Sequence, residues 1–239
     1  YQTNSDVLNW LENNAHKKFF LFVHYFDIHR DTFGREHNRT GKEHKEENYD
    51  HNVSLSDEAV RQLVNTLKEK NIFDDTLIVL LSDHGETIYE KYNKVGHGWD
   101  ICPHEFNTPL IMHHPRRIPP QQVIHLSRTI DVMPTILDFA EALKNTFDGK
   151  SLTPVLRGEA GEDLPRVVIM ENYAGFRNIK AIKKDHWFYI LRDNQIEELY
   201  HDKEDHQLNH NVLNDHQEVA QRLRATLDTA YTGRKEDQI

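Results

Sequence analysis

The sequence predicts an α/β domain followed by a small antiparallel sheet and a closing helix, on three observations. Thr76-Leu-Ile-Val-Leu-Leu-Ser-Asp-His-Gly-Glu86 is a short, unbroken apolar run that empties into a carboxylate, an imidazole and a glycine. Phe19-Phe-Leu-Phe-Val-His-Tyr-Phe26 is a second such run, ending in Asp27-Ile-His29. Beyond residue 160 the chain breaks into short strand-like pieces at hairpin spacing. An apolar run of about four to eight residues is the pattern of a strand buried on both faces, and ligands of such sheets sit beyond the strands' carboxyl ends.

The elements follow in order. Residues 5–14 read as a short helix, with Val7, Leu8 and Leu11 on one side and Ser5 as its cap. Residues 19–26 read as a buried strand, and residues 30–47 as a charged loop with almost nothing apolar. Tyr49, Val53, Val60, Leu63, Val64 and Leu67 recur at helical spacing, and Glu46, Glu47 and Asp50 suit the positive end of that helix. After the strand ending at Asp83, residues 87–107 read as a long loop holding Gly96-His97-Gly98. Pro109-Leu-Ile-Met112 opens another strand. Asp131-Val-Met-Pro-Thr135 opens a helix with aspartate at its cap and proline in its first turn. A charged, glycine-containing stretch at residues 157–165 marks a sub-domain boundary, giving units 1–160 and 161–239. In the second unit, residues 167–170, 179–182, 187–191 and 198–200 read as an antiparallel meander with a turn at Lys184-Asp185. Val219, Leu223 and Leu227 then form one stripe of a last helix.

Composition bounds the function. A chain of 239 residues can bury a sizeable core. A net charge of −10 argues against general binding to nucleic acid or anionic membrane. No apolar run is long enough to span a bilayer. The single cysteine, Cys102, leaves no internal disulfide and does not fix the compartment. The chain opens at Tyr1 inside a polar segment, so it is expected to be a piece of something longer, with any export signal upstream. Asn38-Arg-Thr40 and Asn52-Val-Ser54 fit the N-glycosylation pattern.

Asp83 and His84 are the strongest chemical pair, an anionic oxygen beside an imidazole nitrogen, as a metal site needs. The plain alternative is a strand-end aspartate that only caps nearby backbone. Histidine at other strand ends favours the site: His29 follows one strand, and His97 lies between two glycines before the next. His24, inside a strand, reads as a hydrogen-bonded core histidine. His113 and His114 point to opposite faces of any strand they extend. The histidines from His201 to His216 read as solvated surface, Cys102 as non-nucleophilic, and Trp187, Phe188 and Tyr189 as hairpin packing.

In order along the chain, Phe20-Leu-Phe-Val-His-Tyr-Phe-Asp-Ile-His29, the helix from Tyr49 to Lys70, Phe73-Asp-Asp-Thr-Leu-Ile-Val-Leu-Leu-Ser-Asp-His-Gly-Glu86, Gly96-His-Gly98 with Thr108-Pro-Leu-Ile111, Asp131-Val-Met-Pro-Thr135, Asp148-Gly-Lys-Ser-Leu152 and Glu198-Leu-Tyr-His-Asp202 resemble the C-terminal half of the sulfatase catalytic domain and its small C-terminal sub-domain. The resemblance implies an alkaline-phosphatase-like fold, with a mixed or parallel sheet sandwiched by helices, and a sulfuric ester hydrolase. It implies that Asp83 and His84 bind a divalent cation, that His29 and His97 contact the sulfate, and that His97 protonates or stabilises the leaving group. The substrate it implies is a sulfated small molecule or glycan, and the compartment periplasmic, secreted or lysosomal.

The family's nucleophile, a formylglycine made from Cys/Ser-x-Pro-x-Arg, has no counterpart among these residues, nor does the early strand with paired aspartates. Both belong to an N-terminal half of the same domain preceding Tyr1, so the fragment alone is expected to be inactive. Flanking blocks point to Ca2+, although a mixed Asp/His pair suits Zn2+ or Mn2+. Phosphodiester and phosphonate hydrolases of the same superfamily share the pair and form the first rival. A non-catalytic relative that binds anionic glycans is the second.

Overall fold

A computed structural model describes residues 2–32, 42–90, 93, 95–142, 146–159, 167–173 and 178–236. In chain order the elements are helices α1 (Gln2–Asn14), α2 (Asp27–Thr32) and α3 (Lys42–Glu69), strands β1 (Ile78–Leu81), β2 (Thr87–Ile88) and β3 (Val95–Gly96), helix α4 (Pro103–Phe106), strand β4 (Leu110–His113), helices α5 (Val132–Phe139) and α6 (Thr153–Leu156), strands β5 (Val167–Asn172), β6 (Ile179–Lys184), β7 (Trp187–Arg192) and β8 (Ile196–His201), and helix α7 (Gln217–Glu236). The chain forms two units. One comprises Tyr1–Leu80, Glu86–Gly96 and Ile111–Ile118, the other Leu81–Gly85, His97–Leu110 and Pro119–Ile239.

The first unit is built on α1 and α3. Val7, Leu11 and Leu67 are buried together, with Phe19, Leu21, Val23, Leu63, Ile72, Phe73 and Ile78 packed on them. Burying a leucine such as Leu11 completely stabilises by roughly 1.5–3 kcal/mol. A polar relay ties this core: Asn4 donates to Gln62 at 2.7 Å and accepts from the Tyr25 hydroxyl at 3.0 Å. β1 pairs with β4, and β2 pairs antiparallel with β3.

Several expectations change here. Helix α1 starts before Ser5, which therefore lies inside it and does not cap it. Residues 19–26 are not a strand buried on both faces: they are extended without strand pairing among the described residues. Phe20 and Phe22 are 73% and 77% exposed while Phe19, Leu21 and Val23 face the core. His24 is exposed, so it is no core histidine. The charged stretch is helical from Lys42 onward, because Lys and Glu are strong helix formers even without an apolar stripe. Residues 33–41, including Asn38, lie outside the described residues. Asn52 is 3% exposed within α3 and so is closed to glycosylation. β1 is half-buried along Ile78–Leu80, with Leu81 41% exposed.

In the second unit β5, β6, β7 and β8 form a four-stranded antiparallel sheet in sequence order. The predicted meander and its turn are observed: Lys184 pairs with Trp187 across Asp185, which takes a positive φ of 54°. Alternation buries both faces. Ile179, Ala181, Phe188, Ile190 and Tyr200 cluster with Ile101 and Leu208, while Ile182, Tyr189, Leu191 and Leu199 lie under Ala220, Leu223 and Leu227 of α7. Phe188 and Tyr189 are therefore core residues, and His201 packs edge-on against Trp187 at 4.8 Å rather than lying in solvent. Asp131 does not cap α5 through its side chain. Its carboxylate is fully buried and accepts hydrogen bonds from Arg128 and the Lys150 amide.

The residues 87–107 hold short strands and the α4 turn, so they are not one featureless loop. Among the described residues no helix is long and apolar enough to cross a membrane.

Candidate active site

The apolar run of β1 ends at Leu81, and the chain turns polar at once. Ser82 donates to the His84 carbonyl at 2.6 Å, and the Asp83 carboxylate accepts the His84 amide at 3.0 Å through Oδ1. Capping of nearby backbone is thus part of what Asp83 does. Its other oxygen, Oδ2, lies 3.7 Å from His84 Nε2, on a side chain that is 79% exposed.

The His84 ring is oriented by its other nitrogen. Nδ1 lies 2.9 Å from the Gly85 carbonyl, a partner that can only accept, so in the neutral ring Nδ1 carries the proton and Nε2 the lone pair. Two electron-rich atoms therefore converge at 3.7 Å. Ligand bonds of about 2.0–2.4 Å place two donors on one ion roughly 3–4 Å apart. The donor set and its spacing fit a divalent cation.

His97 joins this pair. Its ring lies 3.7 Å from that of His84, centroid to centroid, at a tilt of 32°. The loop that carries it is shaped by Gly98, whose φ of 77° favours glycine and whose missing side chain would meet open space. Gly85 is required for another reason. A Cβ there would fall 2.1 Å from the His104 carbonyl oxygen, so close backbone approach, not a left-handed turn, selects glycine.

Glu105, on α4, fastens both loops. Its carbonyl accepts the Gly85 amide at 2.7 Å and its carboxylate accepts the Gly98 amide at 2.7 Å. Burial raises the pKa of this carboxyl above its ordinary value, opposed by hydrogen bonds from the Gly98 and Trp99 amides and by the nearby His97. Asp100, with 2% of its side chain exposed, anchors the far end of the His97 loop to Arg192 of β7.

The structure thus brings Asp83, His84 and His97 together in the second unit. His29 lies in the first unit, on α2, with its Nδ1 4.0 Å from Glu86 Oε1 and its ring 4.6 Å from that of Phe26. The Glu86 side chain is only 5% exposed. Sequence reasoning missed both Glu86 and Glu105. Glu86 could have been noticed as the carboxylate closing the Asp83-His84-Gly85 run. Glu105 carried no local signal, because its role is set by contacts with residues 7 and 20 positions away.

Comparison with known proteins gives consistent results. Residues 3–142 match the sulfatase family model, and residues 101–233 match the model of the N-sulphoglucosamine sulphohydrolase C-terminal region. A choline-sulfatase of Rhizobium meliloti (strain 1021) is 30% identical over 155 residues, covering 62% of this chain and 29% of that protein. The chain therefore spans under a third of that relative's length. Among solved structures, a 2-O GAG sulfatase superposes with a TM-score of 0.75 at 24% identity, over 88% of this chain and 47% of that one. The phosphonate monoester hydrolase of Agrobacterium radiobacter superposes with a TM-score of 0.66 at 22% identity, over 80% of this chain and 41% of that one. Both share the α/β fold.

Proposed function

Because the chain belongs to the sulfatase family, we propose that it supplies the cation-holding and leaving-group side of a sulfuric ester hydrolase site. The observation that carries this reading is the convergence of Asp83 Oδ2 and His84 Nε2 at 3.7 Å, with the His97 ring set against His84.

In this reading Asp83 and His84 hold the cation, one through a carboxylate oxygen and one through a neutral imidazole whose tautomer the Gly85 carbonyl fixes. The cation, when bound, supplies positive charge that stabilises anionic oxygen at the reacting centre. Ca2+ is the metal we propose, on the sulfatase-like blocks around the pair. Zn2+ or Mn2+, which take nitrogen donors more readily, would accompany phosphoryl transfer.

His97 contacts a sulfate oxygen and delivers a proton to the departing alkoxide oxygen, a role that imidazole fills near neutral pH. Its loop is fixed by Glu105 and Asp100, so little ordering remains for the moment of reaction. His29 is proposed as a second sulfate contact, supported by its place in the sequence pattern and by the buried Glu86 carboxylate beside Nδ1. The 239 residues contain no Cys/Ser-x-Pro-x-Arg peptide, so in this reading the formylglycine nucleophile comes from outside them. The substrate class is a sulfated small molecule or glycan.

The test is turnover by the full-length protein of 4-nitrophenyl sulfate, an aryl phosphate diester and an aryl phosphonate monoester, side by side. Preference for the sulfate ester, lost in His97→Ala, supports the reading. Preference for a phosphorus ester overturns it in favour of phosphoryl transfer. Binding of a sulfated glycan with no hydrolysis of any ester would make the protein a non-catalytic relative.

A further inference from the structure

The C-terminal sheet reaches the His97 loop through one buried ion pair. Arg192, the last residue of β7, turns its guanidinium onto Asp100, with Nη1 bonded to Oδ1 and Nη2 3.2 Å from Oδ2. The two side chains are 14% and 2% exposed. On its other side the same guanidinium meets Glu198 of β8, Nε at 3.0 Å from Oε1 and Nη2 at 3.0 Å from Oε2, and Tyr200 donates to that carboxylate at 3.1 Å. The Asp100 backbone is held as well, since Asn172 of β5 donates to its carbonyl at 2.8 Å. Two strands of the sheet, β5 and β7, thus hold a residue three positions after His97, and β8 braces the guanidinium of one of them.

We propose that Arg192 is a positioning residue for His97, holding the loop of residues 97–101 through the buried Asp100 carboxylate. The inference rests on the reading of His97 as a site residue, and the geometry supports a positional role over a merely structural one. A planar fork engaged by two carboxylates fixes direction as well as distance, which a lysine ammonium cannot do. The pair also lies 92 residues apart in sequence, so it joins the C-terminal sheet to a site-bearing loop and not to a neighbouring strand. Glu105 restrains the same loop from Gly98, leaving His97 beside a restraint on its C-terminal side at both near and far ends.

The experiment is hydrogen exchange of the full chain, wild type against Arg192→Lys, read by mass spectrometry on peptides from residues 95–106 and from β6, β7 and α7. We expect exchange in residues 97–101 to rise about tenfold or more, with α7 and β6 unchanged. Unchanged exchange in the loop, or an equal rise throughout the sheet, overturns the proposal. If Arg192→Lys does not fold, Asp100→Asn, which keeps the side chain's shape but removes the charge that Arg192 grips, must loosen the same loop for the proposal to stand. In the full-length enzyme, Arg192→Lys should lower kcat by about 10–100-fold with KM little changed, and add nothing to the loss caused by His97→Ala. A loop loosened by Arg192→Lys, in a protein whose wild type hydrolyses no sulfate ester, would leave the positioning role intact and remove the sulfatase reading instead.

Discussion

The imidazole of His97 lies against that of His84 with ring centroids 3.7 Å apart, although 13 residues separate them. Neither ring reaches this arrangement alone: His84 is aimed by the Gly85 carbonyl, and His97 is delivered by a loop fastened at Gly98 and Asp100. The contact joins the proposed cation pair to the proposed proton donor.

Cation binding should depend on both members of the pair. Calorimetric titration of the chain with Ca2+, Mn2+ and Zn2+ is expected to show weak binding that falls at least about tenfold in Asp83→Ala and in His84→Ala. Isotherms identical to wild type in both variants would remove these residues from the metal site.

Gly85→Ala should be costly in stability as well as function. Its methyl would meet the His104 carbonyl at 2.1 Å, and the obstacle is backbone, which cannot rotate away. Overpacking of this kind destabilises by about 1–3 kcal/mol. Urea denaturation gives the difference, and a change below about 0.5 kcal/mol would mean that the two backbones part easily.

The chain by itself should not turn over an aryl sulfate. The proposed nucleophile has no candidate peptide among its residues. Continuous assay with 4-nitrophenyl sulfate at high protein concentration is the check, and sustained turnover that His97→Ala abolishes would place a nucleophile within these 239 residues.

Acid should weaken the segment after β8. Burial works to raise the Asp205 pKa, but the amides of His210 and Asn209, at 2.7 and 2.6 Å, outweigh it and hold the carboxyl below its ordinary value. A depressed folded pKa stabilises above the ordinary carboxylate value and loses that contribution as pH falls through the folded pKa. Asp205→Asn should therefore cost about 1–2 kcal/mol at pH 7. The gap to wild type should close as pH falls through the folded pKa, below the ordinary carboxylate value. Thermal melts of the two proteins from pH 7 to pH 2.5 test this, and a gap independent of pH would refute the assignment.

Legibility in the sequence followed the range of the interactions. The C-terminal meander was readable because Ile179, Ala181, Phe188 and Ile190 alternate locally and turn residues such as Asp185 punctuate them. Asp83 and His84 were readable as candidates because they close an apolar run, and His97 because it lies between two glycines before the next strand. The segment from residue 19 to 26 misled, since an apolar run does not reveal that Phe20 and Phe22 face outward while their neighbours pack on Leu11. Glu105 and Arg192 were invisible for a different reason. An isolated acidic or basic residue reads as surface until the fold brings it to Gly98 or Asp100.

Glu105 grips one loop with its backbone and the other with its side chain. The gap between Asp83-His84 and His97 is accordingly gauged by the length of a single residue, like the jaws of a caliper with one fixed and one adjustable arm. Shortening that arm to aspartate, or blunting it to alanine, offers a way to respace the two loops without touching any group that meets metal or substrate. The gauge sits on a helix of only four residues, beside Phe106, which stacks on Phe188, so the spacing of the two loops is tied to the core of the C-terminal sheet.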